Sequence, residues 1–226
     1  MTALKGARVR PFVGYNFFNP KALNNLMSTT AQALNINTKY RIGGGPSFGL
    51  SAEYPLNFVS KYIHAGLRLD YFTSSSSAVT VGEGTKSATL ESSLSGVPVM
   101  ATLGVVYPVL KQVQVGGVLA AGVPVFYRFT TEVSGSGVPQ QMPNGTITYE
   151  ANPFTALVSG FGEYLFTDHI GLRLEAGYRF ISSDQMKASE SYGTIKEGTL
   201  LRDQNNANVK VDASSFNSAV SLVVTI

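Results

Sequence analysis

Seven arginines recur inside segments of alternating hydropathy: Arg8, Arg10, Arg41, Arg68, Arg128, Arg173 and Arg179. Glu53, Asp70, Glu163, Glu175 and His64 stand in the same phase, on the polar side of their segments. Guanidinium and carboxylate groups so arranged can pair into a buried network, line a path for anions, or support acid–base chemistry. Catalysis has the least to draw on. The chain has two histidines and no cysteine, which excludes thiol nucleophiles, disulfides and thiolate metal sites. The acids Glu83, Glu132, Asp184, Glu190 and Asp203 lack calcium-loop spacing, and the glycine run 43–45 lies inside an alternating segment rather than before a helix. No metal, cofactor or nucleic-acid partner is expected, since the net charge is only +3 and no Lys/Arg-rich run occurs.

Charge must be positioned by the elements that carry it. Residues 169–180, HIGLRLEAGYRF, alternate without a slip, which is the period of a half-buried strand. Eight such segments are expected, at about 7–18, 39–54, 61–73, 89–107, 112–130, 148–165, 169–180 and 209–226. Short connections (55–60, 108–111, 166–168) alternate with long polar ones at about 19–38, 74–88, 131–147 and 181–208. In the first long loop, Asn19-Pro20 reads as a cap before an amphipathic helix over 20–34, with Leu23, Leu26, Met27, Ala31 and Leu34 on one face and the barrel rim as its packing site. No apolar run approaches the ~18 residues of a membrane-spanning helix.

The alternation does not itself say which face is inside, but composition does. Hydrophobic residues make up 44% and charged residues only 14%, against roughly 25% for a soluble domain. All nine lysines fall in the tail, loops, turns or strand ends, whereas seven of eight arginines fall within strands. Arginine's planar fork suits enclosed pairing. Glycines share the polar face, giving room to long side chains in a narrow interior.

Aromatics bound the apolar face at both ends. Tyr54, Tyr107 and Tyr164 stand at the tight-turn end. Tyr15, Phe17, Tyr40, Tyr71, Tyr127, Phe129, Tyr178, Phe180 and Phe216 stand at the long-loop end. Two girdles around an aliphatic band about 25 Å tall describe a lipid-exposed surface. The last segment runs to Ile226, and an unpaired strand edge in lipid is prohibitive, so strand eight must close on strand one. The expected fold is all-β: a single domain over 1–226, an eight-stranded antiparallel up-and-down transmembrane barrel with its apolar face outward.

In pattern, and in the strand ends SAEY (51–54) and GEYLF (162–166) with the terminal strand, the chain resembles the small eight-stranded outer-membrane barrels of the OmpA, OmpX and OmpW type. It departs from them in ending on Ile226 rather than an aromatic. The resemblance implies a bacterial outer-membrane location, a non-enzymatic porin-like or structural role, and membrane lipids as partners. It also implies that the start, MTALKGARVR, is that of a mature chain whose signal peptide has been removed. Both histidines then fall near the periplasmic end, away from any site at the outer leaflet. Seven arginines against four acids leave three positive charges in excess in the lumen. The alternatives are a conduit for small apolar molecules, or a homo-oligomer that organises lipid or binds a surface partner. The oligomer would meet through Pro11, Gly44, Pro46, Gly160 and Gly162 on the lipid face.

Overall fold

Alternating segments become ladders because each strand can satisfy its backbone only on its neighbours, and closure leaves no edge. The computed structural model describes residues 6–33, 42–74, 77–83, 86–136, 144–183, 185–203 and 205–226. Its elements are β1 (Arg8–Phe18), α1 (Lys21–Ala33), β2 (Gly45–Pro55), β3 (Ile63–Thr73), β4 (Ser77–Glu83), β5 (Lys86–Pro108) and β6 (Val113–Gly135). They continue with β7 (Gly145–Glu150), β8 (Phe154–Leu165), β9 (Ile170–Ser183), β10 (Lys187–Ala188), β11 (Val211–Asp212) and β12 (Ser215–Thr225). Eight of these, β1, β2, β3, β5, β6, β8, β9 and β12, form a closed antiparallel barrel. Closure is the β1–β12 ladder, from Arg8 opposite Thr225 to Phe18 opposite Ser215. The described ends of the chain meet there, with the Gly6 amide donating to the Ile226 carbonyl at 2.6 Å.

The apolar face points outward. Leu67, Leu103, Leu119 and Leu174 are 51–61% exposed on the barrel wall, while Arg173 and Arg179 are 0% exposed inside it. An apolar surface encircling the whole cylinder far exceeds the few hundred Å² patch of an ordinary soluble monomer, and it is built for acyl chains. No helix among the described residues is long and apolar enough to cross a membrane; the strands do so.

Beyond the barrel the structure departs from the expected polar loops. β5 and β6 each continue for 23 residues, past the length needed to span. β4 flanks the upper part of β5, β7 flanks the upper part of β6, and β10 pairs with β7. This outer sheet follows the rule of a water-soluble one, polar outside and apolar inside. Leu90, Leu94, Phe129 and Val133 point inward, together with Ile147 and Tyr149 of β7. They meet Phe18, Phe72 and Ile181 from the barrel strands, Leu23 and Met27 from α1, and Met186, Leu201 and Val209 from the stretch between β9 and β12. Burial pushes the Tyr149 phenol up in pKa. The helix lies within the expected span and is tied down at two points. Its Asn24 amide donates to Pro20 at 2.9 Å, and the Asn24 carboxamide oxygen accepts the Ile42 amide at 2.7 Å. Leu23 and Met27 therefore pack into a cap over the outer mouth.

Several boundaries move, the last barrel strand starting at Ser215 rather than 209, and one strand changes phase. Asn152-Pro153 interrupts the segment 148–165, because proline brings no amide to a ladder, and the segment divides into β7 and β8. β2 starts at Gly45, so residues 42–44 are not strand, while Arg41 and Tyr40 lie outside the described residues. Most consequential is a bulge in β6. Gly96 pairs with Tyr127 and Pro98 with Pro124, so Val125 and Phe126 together oppose the single residue Val97. The extra residue reverses the facing of all that follows. Tyr127 and Phe129, expected in the outer girdle, are buried at 1% each inside the cap. Arg128, expected in the lumen, faces outward, paired with Glu150 at 2.7 Å and lying over the Phe126 ring.

The absence of native cysteine makes this inversion directly measurable. With single cysteines introduced in the membrane-embedded protein, Arg128→Cys should react quickly with a membrane-impermeant maleimide added outside. Tyr127→Cys and Phe129→Cys should be protected until the barrel is unfolded. The reverse pattern would mean that β6 runs through without a bulge.

Candidate functional site

The lumen holds five arginines and four carboxylates in three levels. Nearest the short turns, Glu163 takes two partners. Arg173 donates to it through Nε at 2.9 Å and Nη2 at 2.8 Å, and the Arg8 Nη1 lies 3.3 Å away. Arg8 also donates through Nη2 to the Gln114 carboxamide oxygen at 2.8 Å. Beside them Arg10 pairs with Glu53, and its Nε donates to Ser51 Oγ at 3.0 Å. At the middle, Arg68 donates to Glu175 at 2.5 Å and lies 3.7 Å from Asp70. Toward the cap, Asp70 also pairs with Arg179. Register explains two of these contacts: Glu163 is directly opposite Arg173 across β8–β9, and Arg10 is directly opposite Ser51 across β1–β2, from where it reaches diagonally to Glu53. With Arg128 outside the lumen and Arg41 outside the described residues, five guanidiniums against four carboxylates leave one positive charge in excess.

Each of three arginines rests on a ring, and each ring rests on a glycine. The Arg68 guanidinium carbon is 4.2 Å from the Phe12 ring centre, Arg173 is 3.6 Å from Phe161, and Arg179 is 5.3 Å from Phe72. Beneath the rings are Gly49, Gly116 and Gly96, where a Cβ would stand 2.5, 2.5 and 2.9 Å from Cζ of Phe12, Phe161 and Phe72. The glycines of the polar face thus make room for aromatic rings, which in turn flatten and hold the cations. A desolvated cation–π contact of this kind is worth about 2 kcal/mol. Sequence reasoning missed Phe12, Phe72 and Phe161, although the signal was there: each shares its strand's phase with a lumen charge.

The interior is two-sided. Charge lines β1, β2, β3, β9 and the short-turn end of β8 at Glu163, whereas Met100, Val106, Val118, Ala120 and Leu157 make an apolar wall on β5, β6 and the rest of β8. His64 is 5% exposed and faces the lumen near the short turns. His169 is exposed at the β8–β9 turn, its Nδ1 3.0 Å from the Thr225 carbonyl oxygen. Neither histidine is near the outer mouth. Among the described residues no group of three or more His, Asp or Glu side chains could hold a metal ion.

On the exterior, Tyr15, Phe17, Tyr178, Phe180 and Phe216 are exposed at the outer end of the band, and Tyr54, Tyr107 and Tyr164 at the inner end. Tyr71 is half-buried against Phe48. Of the small residues expected at a barrel contact, Pro11, Pro46, Gly160 and Gly162 face outward. Gly44 does not offer a free surface. It lies before β2, where a Cβ would stand 2.6 Å from the Tyr15 ring. At the outer rim, β6 parts from β8 after Gly122 and turns to β7, leaving a cleft of about 580 Å³. Val125 and Phe126 form its apolar lip, and Arg128, Glu150, Gln185 and Lys187 its polar one.

Breaking the network at its most shared member should be costly. Glu163→Gln leaves Arg8 and Arg173 buried without their carboxylate and should lower the unfolding free energy in lipid vesicles by about 3 kcal/mol. Gly116→Val, which drives Phe161 off Arg173, should destabilise in the same direction. Urea midpoints unchanged in both variants would show that the network carries no structural weight.

No family model matches the sequence, and no curated protein matches it. Solved structures do. The chain is similar to Neisserial surface protein A, with 12% identity, 98% of each chain covered and a TM-score of 0.48. It is similar also to the outer membrane protease OmpT from Escherichia coli, with 9% identity, 99% of this chain and 98% of that one covered, and a TM-score of 0.43. A third is Ail, the attachment invasion locus protein of Yersinia pestis, solved with the heparin analogue sucrose octasulfate. There identity is 8%, with 97% of this chain and 99% of that one covered, and a TM-score of 0.42.

Proposed function

We propose that this protein is an outer-membrane barrel of a Gram-negative bacterium whose task is to hold a folded cap at the cell surface, and that it is neither an open pore nor an enzyme. One observation carries the reading. An apolar core shared by β5, β6, β7 and α1 sits directly on an ion-paired lumen, an arrangement that supports a bore closed at two levels. An eight-stranded barrel is only wide enough for its side chains to fill it. Ion flow would require parting both a salt-bridge ladder and a hydrophobic core. The non-enzymatic reading is supported by placement: neither histidine stands where it could serve as base to a hydroxyl nucleophile at the outer surface. Function then belongs to the cap, as is usual for loops carried on a rigid scaffold.

A second reading, a conduit or docking place for small amphiphiles, has the cleft at the β6–β8 parting in its favour. Its apolar lip lies toward the lipid band and its charged lip toward the surface. Extraction of the purified protein followed by lipid mass spectrometry tests it. A stoichiometric amphiphile, lost on Phe126→Asp, supports this reading; no retained amphiphile rejects it.

The main reading predicts near-zero conductance in planar bilayers for the natural protein and for Arg68→Ala and Glu175→Ala alike, because the apolar cap remains. Stepwise openings in the natural protein would overturn it. Openings in either variant would make the ion pair a gate and favour a narrow-solute role.

A further inference from the structure

At the end of the barrel opposite the cap, a small cavity of about 200 Å³ opens between β1, β3 and the β5–β6 turn. Its polar lining is Arg8, Lys61, Tyr62, His64 and Gln114. Each of these groups can donate a hydrogen bond. The Gln114 oxygen already accepts a hydrogen bond from Arg8, which leaves its amide nitrogen to donate. His64 is 95% buried, and its Nδ1 has no hydrogen-bond partner among the described residues. The Lys61 ammonium lies 5.0 Å over the Tyr62 ring, and no carboxylate among the described residues pairs with it. Charge is unbalanced at this level. Among the described residues the buried Arg8, Arg10 and Arg173 meet only Glu53 and Glu163, leaving one buried positive charge in excess, and the exposed Lys61 adds another at the cavity's edge. Such an excess is costly unless something neutralises it.

We infer that this inner mouth is a binding site for a compact oxyanion of phosphate type, held by Arg8, Lys61 and His64 with Gln114 as an orienting donor. The size fits: the cavity has room for a tetrahedral ion with a few waters, each taking roughly 30 Å³. Charge-assisted hydrogen bonds from guanidinium and ammonium are the strong kind, and Arg8 remains positioned by Glu163 and Gln114 while its neighbours close on the ligand. The ion is taken from the aqueous side, because His64 and Arg8 face the lumen and not the lipid. The site is independent of what the outer cap binds.

The full chain, refolded in an uncharged detergent in chloride buffer and titrated with inorganic phosphate, tests this. Amide shifts at Tyr62, Ile63, Val106 and Gln114 should saturate together, while those of the cap stay still. The melting temperature should rise with phosphate, as for any ligand that binds only the folded state. Lys61→Gln, a change at an exposed side chain that should leave folding intact, should weaken phosphate about tenfold, and Lys187→Gln at the outer rim should not. Acetate should bind about tenfold more weakly than phosphate. Shifts that grow linearly without saturation, binding indifferent to Lys61→Gln, or equal affinity for acetate would each overturn the assignment.

Discussion

Five guanidiniums enclosed in a cylinder that side chains fill set the terms for this fold. Each must be neutralised, hydrogen-bonded and packed at once, since a buried cation lacking any of these would cost several kcal/mol. The solution is repeated at three heights: carboxylate at the edge, ring against the face, glycine under the ring. This accounts for residues that are otherwise hard to place in strands. Glycine weakens a strand, and phenylalanine in a polar phase breaks a pattern, yet each is required by the other. The carboxylates are shared, Glu163 between Arg8 and Arg173 and Asp70 between Arg68 and Arg179, so the levels are coupled across strands far apart in sequence.

The second constraint is the change of solvent along a single strand. β6 is one uninterrupted element, yet Val115, Leu119 and Val123 look outward in its lower part and Phe129 and Val133 look inward in its upper part. A sequence in strict alternation cannot satisfy lipid below and water above without either exchanging residue types or shifting phase. β6 shifts phase, with its extra residue at Val125–Phe126. β5 keeps its phase and exchanges types: Leu103 and Val99 face out below, Glu91 faces out above, and Leu90 and Leu94 face in.

The barrel was legible because lipid, closure and period two leave few choices. The outward sense follows from where lysine, arginine, glycine and the aromatics fall, and the helix from Pro20 and its apolar spacing. The cap was not legible, for a physical reason. Its strands are short or Ser/Thr-rich, and an amphipathic sheet in water with threonine on one face carries little hydropathy contrast. Arg128, Tyr127 and Phe129 were misplaced together because one bulge moves all three. The pairing partners within the lumen were hidden too, since register is a property of two strands and the sequence displays one at a time.

β5 and β6 cross from lipid to water without a hinge, and this has a geometric result. At about 3.3 Å per residue and a tilt near 40°, their upper eleven or so residues carry the sheet roughly 30 Å past the bilayer. The attitude of that sheet to the membrane plane is dictated by the shear of the cylinder below and not by the conformation of the connections. On the reading that the cap faces the cell exterior, a binder would meet a platform already aimed and lose little ordering entropy on contact.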